Sequence, residues 1–225
     1  MSVNLRRRVA IKRRERKYLN DIDRIIINSR KYPHLKARLI GYFMGDGSVT
    51  KRSEKNGKIH CTCNFFPDDV SMRNSFLESF LKIYEFSPKV EPLHNHERIR
   101  FDSKAIVDDL LSYGSFRSLE WQLPSFKTQK ETTEWLKAFF DCEAYVSPRG
   151  IVLQSVNKNG LLQIATALAN FSIETRFYQY VRKNKNWNIN YILTINKKEH
   201  VRRFYKQIGF NHNKKQKRCQ RILTR

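Results

Sequence analysis

The hydrophobic positions of this chain switch between two periods. Around "RLIGYFMGDGSV" (Arg38–Val49) they cluster at helical spacing and end on a carboxylate, Asp46, between two glycines. Alternating runs near 48 to 53 and 58 to 66 read as strands, because successive side chains of an extended segment point to opposite faces. "SMRNSFLESFLKIY" (Ser71–Tyr84) places Met72, Phe76, Phe80 and Ile83 on one helical face. Strands near 89 to 94 and 97 to 102 and a helix from about 104 to 113 complete the set. The order then recurs, with strands near 145 to 148, 151 to 156, 174 to 182 and 187 to 195, and helices near 158 to 171 and 197 to 209.

The recurrence is an internal repeat. "EWLKAFFDCEAYV" (Glu134–Val146) aligns on the first motif with Leu39 on Leu136, Gly41 on Ala138, Phe43 on Phe140, Gly45 on Cys142 and Asp46 on Glu143, an offset of 97 residues. "IRFDSKAIVDDLL" (Ile99–Leu111) aligns with "LTINKKEHVRRFY" (Leu193–Tyr205) at an offset of 94. The pattern predicts an α+β monomer of two pseudo-twofold-related αββαββα repeats. Its boundaries are a basic extension over 1–34, the first repeat over 35–120, a linker over 121–132, the second repeat over 133–210 and a basic tail over 211–225.

In each motif the small residues stand four apart, so they share one helical face: Gly41 with Gly45, and Ala138 with Cys142. Small stripes let two helix backbones approach closely, and the two motif helices are expected to pack on each other. Asp46 and Glu143 would then meet at one end. There they repel each other, and each also sits at the negative end of a helix dipole. A divalent cation reverses all three penalties. Magnesium prefers one or two carboxylates with waters and substrate phosphates, which is the set this site offers; Mn2+ or Ca2+ would substitute for binding.

Charge narrows the partner. Forty-four Lys and Arg against 21 Asp and Glu give a formal charge of +23 and favour a polyanion, foremost nucleic acid. No stretch has the length of a spanning helix and no signal peptide opens the chain, so an intracellular protein is expected, in a prokaryotic cytoplasm or an organelle. The basic runs at both ends, residues 1 to 18 and "NKKQKRCQR" (Asn213–Arg221), read equally as solvated termini or phosphate-contacting arms. "HCTC" (His60–Cys63) alternates like a strand and lacks a second cysteine pair at finger spacing, which argues against zinc.

The paired motifs about a hundred residues apart, each followed by ββαββα, resemble the LAGLIDADG homing endonucleases in their single-chain form. In that family the eighth motif residue is the catalytic acid, which falls on Asp46 and Glu143; Ala138 and Ala144 replace consensus glycines and stay small. The resemblance implies a saddle of two four-stranded antiparallel sheets over the DNA major groove, with the two motif helices central. It also implies metal held by the two acids and the backbone carbonyls of Gly45 and Cys142, and double-strand cleavage leaving short 3′ overhangs. A lysine reaching the active-site solvent is a family feature. Lys104 and Lys198 occupy matching places for it, with Lys197 one register away and an ordinary surface role as the alternative. Asn157 is a weaker candidate for ordering water.

Base readout would come from strand side chains of one face at period two. The candidates are Ser48, Thr50, Arg52, His60, Thr62, Asn64, Arg98 and Arg100 in the first half. In the second half they are Arg149, Gln154, Arg176, Tyr178, Tyr180, Arg182, Lys183, Lys185 and Asn188. Any one of them could touch phosphate or solvent instead. The expected activity is a site-specific, metal-dependent endonuclease acting on double-stranded DNA. The alternative is a maturase bound to intron RNA, and a DNA-binding regulator on a nuclease scaffold is a third reading. Retention of both acids favours the nuclease, and the absence of flanking splicing-domain sequence favours an intron origin.

Overall fold

The computed structural model describes residues 3–55, 57–94, 96–181 and 188–224. Helix α1 (Val3–Lys31) is followed by α2 (Pro33–Asp46), β1 (Gly47–Ser53), β2 (Ile59–Phe65), α3 (Val70–Tyr84), β3 (Lys89–Pro92), β4 (Glu97–Phe101) and α4 (Lys104–Leu111). The order returns in α5 (Gln129–Glu143), β5 (Ala144–Ser147), β6 (Gly150–Ser155), α6 (Lys158–Ala169), β7 (Arg176–Tyr180), β8 (Asn190–Ile195) and α7 (Lys198–Gln207), and α8 (Asn213–Thr224) closes the chain. Both sheets are antiparallel and share one strand order, β1-β2-β4-β3 and β5-β6-β8-β7. The expected α+β double repeat is present, with strand and helix limits shifted by a few residues at most.

Local signals explain where the elements begin. Thr128 and Glu131 form a reciprocal capping box that starts α5. Asp69 caps α3 by accepting from the Ser71 N–H at 2.9 Å. Pro33 opens α2, where its missing N–H costs no helical bond. Along β2 and β4, Cys63, Phe65, Ile99 and Phe101 are buried while Thr62, Asn64, Arg98 and Arg100 lie on the opposite, more open face. The core is continuous across the two halves and is rich in stacked and tilted aromatic pairs, Phe65 with Phe76 at 4.4 Å and Trp135 with Phe139 at 4.8 Å among them.

The two basic ends are helices that dock on the repeats. Helix α1 packs against α3 and α4: Ile25 is buried, the Asn28 amide donates to the Ile83 carbonyl at 3.2 Å, and the Tyr18 hydroxyl donates to Asp108 at 2.9 Å. Helix α8 packs against α7, β5 and β6 and buries Cys219. Charge counting conceals this, because apolar residues such as Ile25 and Cys219 are spaced sparsely among many lysines and arginines. No helix among the described residues is long and apolar enough to cross a membrane.

Candidate active site at the paired helix ends

Helices α2 and α5 form the most extensive helix pair in the molecule. Their contact depends on missing side-chain volume. A Cβ on Gly41 would stand 2.6 Å from the Trp135 carbonyl oxygen, and one on Gly45 would stand 2.4 Å from the Cys142 Cβ. Arg38 and Glu134 close the far end of the pair with a 2.6 Å ion pair. At the near end both helices stop on an acid and run directly into a strand, β1 after Asp46 and β5 after Glu143. Gly47 permits the first of these exits, since a Cβ there would lie 2.6 Å from the Phe43 Cα.

The two acids share one electrostatic environment. Burial, and then the charge of Asp46, push the Glu143 carboxyl up to about 7. Burial also raises Asp46, with the nearby Asp68 carboxylate adding to the effect and a hydrogen bond from the Cys142 thiol opposing it. Holding both acids charged therefore costs free energy unless positive charge arrives. Among the described residues no group of three or more His, Cys, Asp or Glu side chains is arranged to hold a metal ion by itself. The protein would thus supply two carboxylates and main-chain carbonyls, and leave other coordination positions to water or phosphate. That set suits a hard, oxygen-seeking cation such as Mg2+ and does not suit a closed zinc site.

Two residues at this site escaped the sequence reading. Asp141 is fully buried two residues before Glu143 on α5, and burial pushes it up to about 6 despite bonds from the His212 N–H at 3.0 Å and the Asn211 N–H at 3.2 Å. It aligns on Met44 of the first motif, so a charge standing in an apolar stripe was the available signal. Lys215, on α8, donates from Nζ to the carbonyls of Asp141 and, at 3.2 Å, of Cys142. Its charge acts on Asp46 and Glu143 alike. Nothing in "NKKQKR" singles it out, because only the docking of α8 selects one lysine from the run.

Neither Lys104 nor Lys198 is among the charges that chiefly act on the acids. Lys104 caps the Tyr18 ring of α1, its Nζ 4.5 Å from the centroid, and Lys198 opens α7 exposed. Lys197 pairs with Glu174 at 2.6 Å. The lysine beside the acids is Lys215. Asn157 is buried as the cap of α6: its Oδ1 accepts from the Gly160 N–H at 2.9 Å and its Nδ2 donates to the Trp121 carbonyl at 2.6 Å, which leaves it structural rather than facing solvent.

The sheet candidates of the first repeat are brought together. The register sets Ser48 opposite Asn64, Thr50 opposite Thr62, Arg52 opposite His60 and Asn64 opposite Arg100. His60 reaches Glu54 at 2.5 Å and Arg98 pairs with Glu91. In the second repeat Arg176, Tyr178 and Tyr180 alternate on exposed positions of β7, and Tyr178 and Gln154 share Ile192 as neighbour across β8. Gln154 accepts from Asn190 at 3.3 Å, while Arg149 lies on the exposed β5–β6 turn and Asn188 precedes β8, exposed. Arg182, Lys183 and Lys185 lie outside the described residues.

Residues 130–209 match the family model described as LAGLIDADG-like domain. Over 204 residues, 88% of this chain, the sequence is 27% identical to the replication factor C small subunit of Methanocaldococcus jannaschii, and the chain spans 11% of that relative's length. Among solved structures, mesophilic variants of the homing endonuclease I-DmoI align with a TM-score of 0.63 at 14% identity, covering 78% of this chain and 88% of theirs. I-DmoI solved with DNA and Ca aligns with a TM-score of 0.60 at 14% identity and the same coverage. The second repeat thus matches a LAGLIDADG-like domain, and the chain as a whole has a fold similar to that of I-DmoI, with the motif duplicated in the first repeat.

Proposed function

We propose that the protein is a site-specific, divalent-metal-dependent endonuclease that cuts both strands of a DNA duplex and leaves short 3′ overhangs. The observation that carries this reading is the acid pair: two motif helices packed through glycine deliver Asp46 and Glu143 into one field, at a cost that a divalent cation would relieve. The similar fold of I-DmoI, solved with DNA and Ca and with DNA and Mn, supports the same substrate and cofactor class.

The two carboxylates and the carbonyls of Gly45 and Cys142 would hold the metal, Mg2+ by the hardness of the donors. When bound, it supplies an activated water for in-line attack on phosphorus and stabilises the leaving 3′ oxygen. The outward strand residues of the two sheets, Ser48 to Arg100 in one half and Gln154 to Tyr180 in the other, would seat the duplex as a saddle and read base edges. Lys104 and Lys198 are not among the charges that chiefly act on the acids, so neither is assigned a role at the scissile bond.

Asp46→Asn and Glu143→Gln should retain binding to a long duplex spanning the insertion site of the protein's own gene, insert removed. Cleavage in Mg2+ should fall by about two to three orders of magnitude. Undiminished cutting by either variant rejects the reading. The exposed basic face of α1, with Arg13, Arg14, Arg16 and Lys17, is the observation that keeps intron RNA as a second partner. A splicing assay of the host intron with and without the protein decides that role.

A further inference from the structure

The acid pair already has a cation beside it. Lys215 donates to the Asp141 and Cys142 carbonyls, and the second of these oxygens is one the proposed metal would use. The carbonyl has two lone pairs, but an ammonium and a divalent ion a few ångströms apart in a partly desolvated site repel strongly. One oxygen has two claimants.

The lysine is held there by a built arrangement. The Asp141 carboxylate accepts from the main-chain N–H groups of Asn211 and His212, just ahead of α8. The Asn213 N–H donates to the Ser71 hydroxyl of the first repeat at 3.2 Å. The His212 ring lies 3.5 Å from Asp68 and 3.6 Å from Asp69, also of the first repeat. The start of α8 is therefore tied to both halves at the point where the acids meet. The first motif has no counterpart to this clamp, because Met44 stands where Asp141 does.

Resting on the metal reading above, we propose that Lys215 is a built-in counter-cation of the acid pair: its ammonium holds the Cys142 carbonyl in the metal-free protein and withdraws when a divalent ion enters. It is a positioning residue. It keeps two acids tolerable in the empty site, and it sets the ion concentration at which the site fills. Without it the site would bind metal more tightly and fold less stably in the absence of metal. Arginine, which also donates to carbonyls as a cation, should preserve both properties, whereas an uncharged residue of similar length should preserve neither.

The test is Mn2+ titration of the full chain without DNA, by calorimetry and by electron paramagnetic resonance, on wild type, Lys215→Met, Lys215→Arg and Glu143→Gln. Lys215→Met should bind Mn2+ roughly tenfold more tightly or better, and should melt lower than wild type in chelator and regain the difference with Mn2+. Lys215→Arg should follow wild type in both. Hydrogen exchange on the wild-type chain keeps the inference testable should Lys215→Met not fold: Mn2+ should speed exchange of the amides at the start of α8. Equal or weaker Mn2+ binding by Lys215→Met, or unchanged exchange there on metal binding, overturns the lysine's role while leaving the metal site intact. Failure of wild type and Lys215→Met alike to bind Mn2+ overturns both that role and the metal reading beneath it.

Discussion

The two repeats have the same strand order and the same helix-to-strand exit, yet they differ at the acid and on the outer sheet face. In the first, Asp46 follows Gly45, and the motif stripe above it, Leu39, Phe43 and Met44, is apolar. In the second, Glu143 follows Cys142 and a buried acid, Asp141, that reaches past the repeat to anchor α8. The first sheet turns Ser48, Thr50, Arg52, Thr62, Asn64, Arg98 and Arg100 outward; the second turns out Tyr178, Tyr180, Ile192 and Gln154, with Val152 and Thr194 nearly buried. Duplication fixed the backbone plan, and divergence then assigned unlike chemistry to the halves. Such asymmetry is what a pseudo-twofold protein needs in order to recognise a target whose two halves differ.

The largest effect expected on stability tests the helix contact. Gly45→Ala would gain about 1 kcal/mol of helix propensity, but its Cβ meets the Cys142 Cβ at 2.4 Å. Overpacking should win, with a net loss of about 2 kcal/mol in denaturant unfolding. Cys142→Gly in the same chain should recover most of it, so additive losses in the double variant would show that the two positions do not share one gap. Next is the clamp. Asp141→Leu strands the Asn211 and His212 N–H groups and should cost about 2 kcal/mol and expose α8 to limited proteolysis, whereas Met44→Leu in the first repeat should leave the α8 cleavage pattern unchanged.

A smaller effect separates the acids by pH. The folded Glu143 and Asp141 carboxyls stand at about 7 and about 6, above their ordinary values of 4.5 and 3.8. The folded state therefore holds more protons than the unfolded chain across that window, and stability must fall as pH rises through it. Metal-free protein should melt lower at pH 8 than at pH 5, Glu143→Gln should flatten the part of the slope nearest neutrality, and Mg2+ should restore stability most at the higher pH. A melting temperature that rises with pH in chelator would contradict this. Smallest are the single readout changes. Arg52→Ala on the first sheet should lower the salt slope of duplex binding by about 1 if the side chain meets phosphate. Tyr180→Ala on the second should weaken binding without moving the slope.

How far the sequence could be read follows from the range of the forces involved. Periodicity located the helices and strands of both repeats because burial of one face imposes a regular spacing on apolar residues. The pairing of Ser48 with Asn64 and of Thr50 with Thr62 followed from alternation once the strands were set. Lys104 was placed at the site by its position in the repeat, yet in the structure it lies against Tyr18, because α1 folds back and covers that end of α4. Asn157 looked like a polar group for solvent and is a helix cap, held in place by the hydrogen bond it donates to the Trp121 carbonyl in the linker.

By itself, then, the sequence determined the repeat, the element order, the small-residue stripes and the two acids, all of which are local patterns or copies of one. The tertiary structure alone decided which lysine stands by those acids, that Asp141 is a buried anchor, and that the charged ends are docked helices. These facts rest on contacts between segments some 70 residues or more apart, such as Asp141 with Lys215 and Tyr18 with Asp108. No periodicity encodes such contacts, because they exist only once the chain has closed on itself.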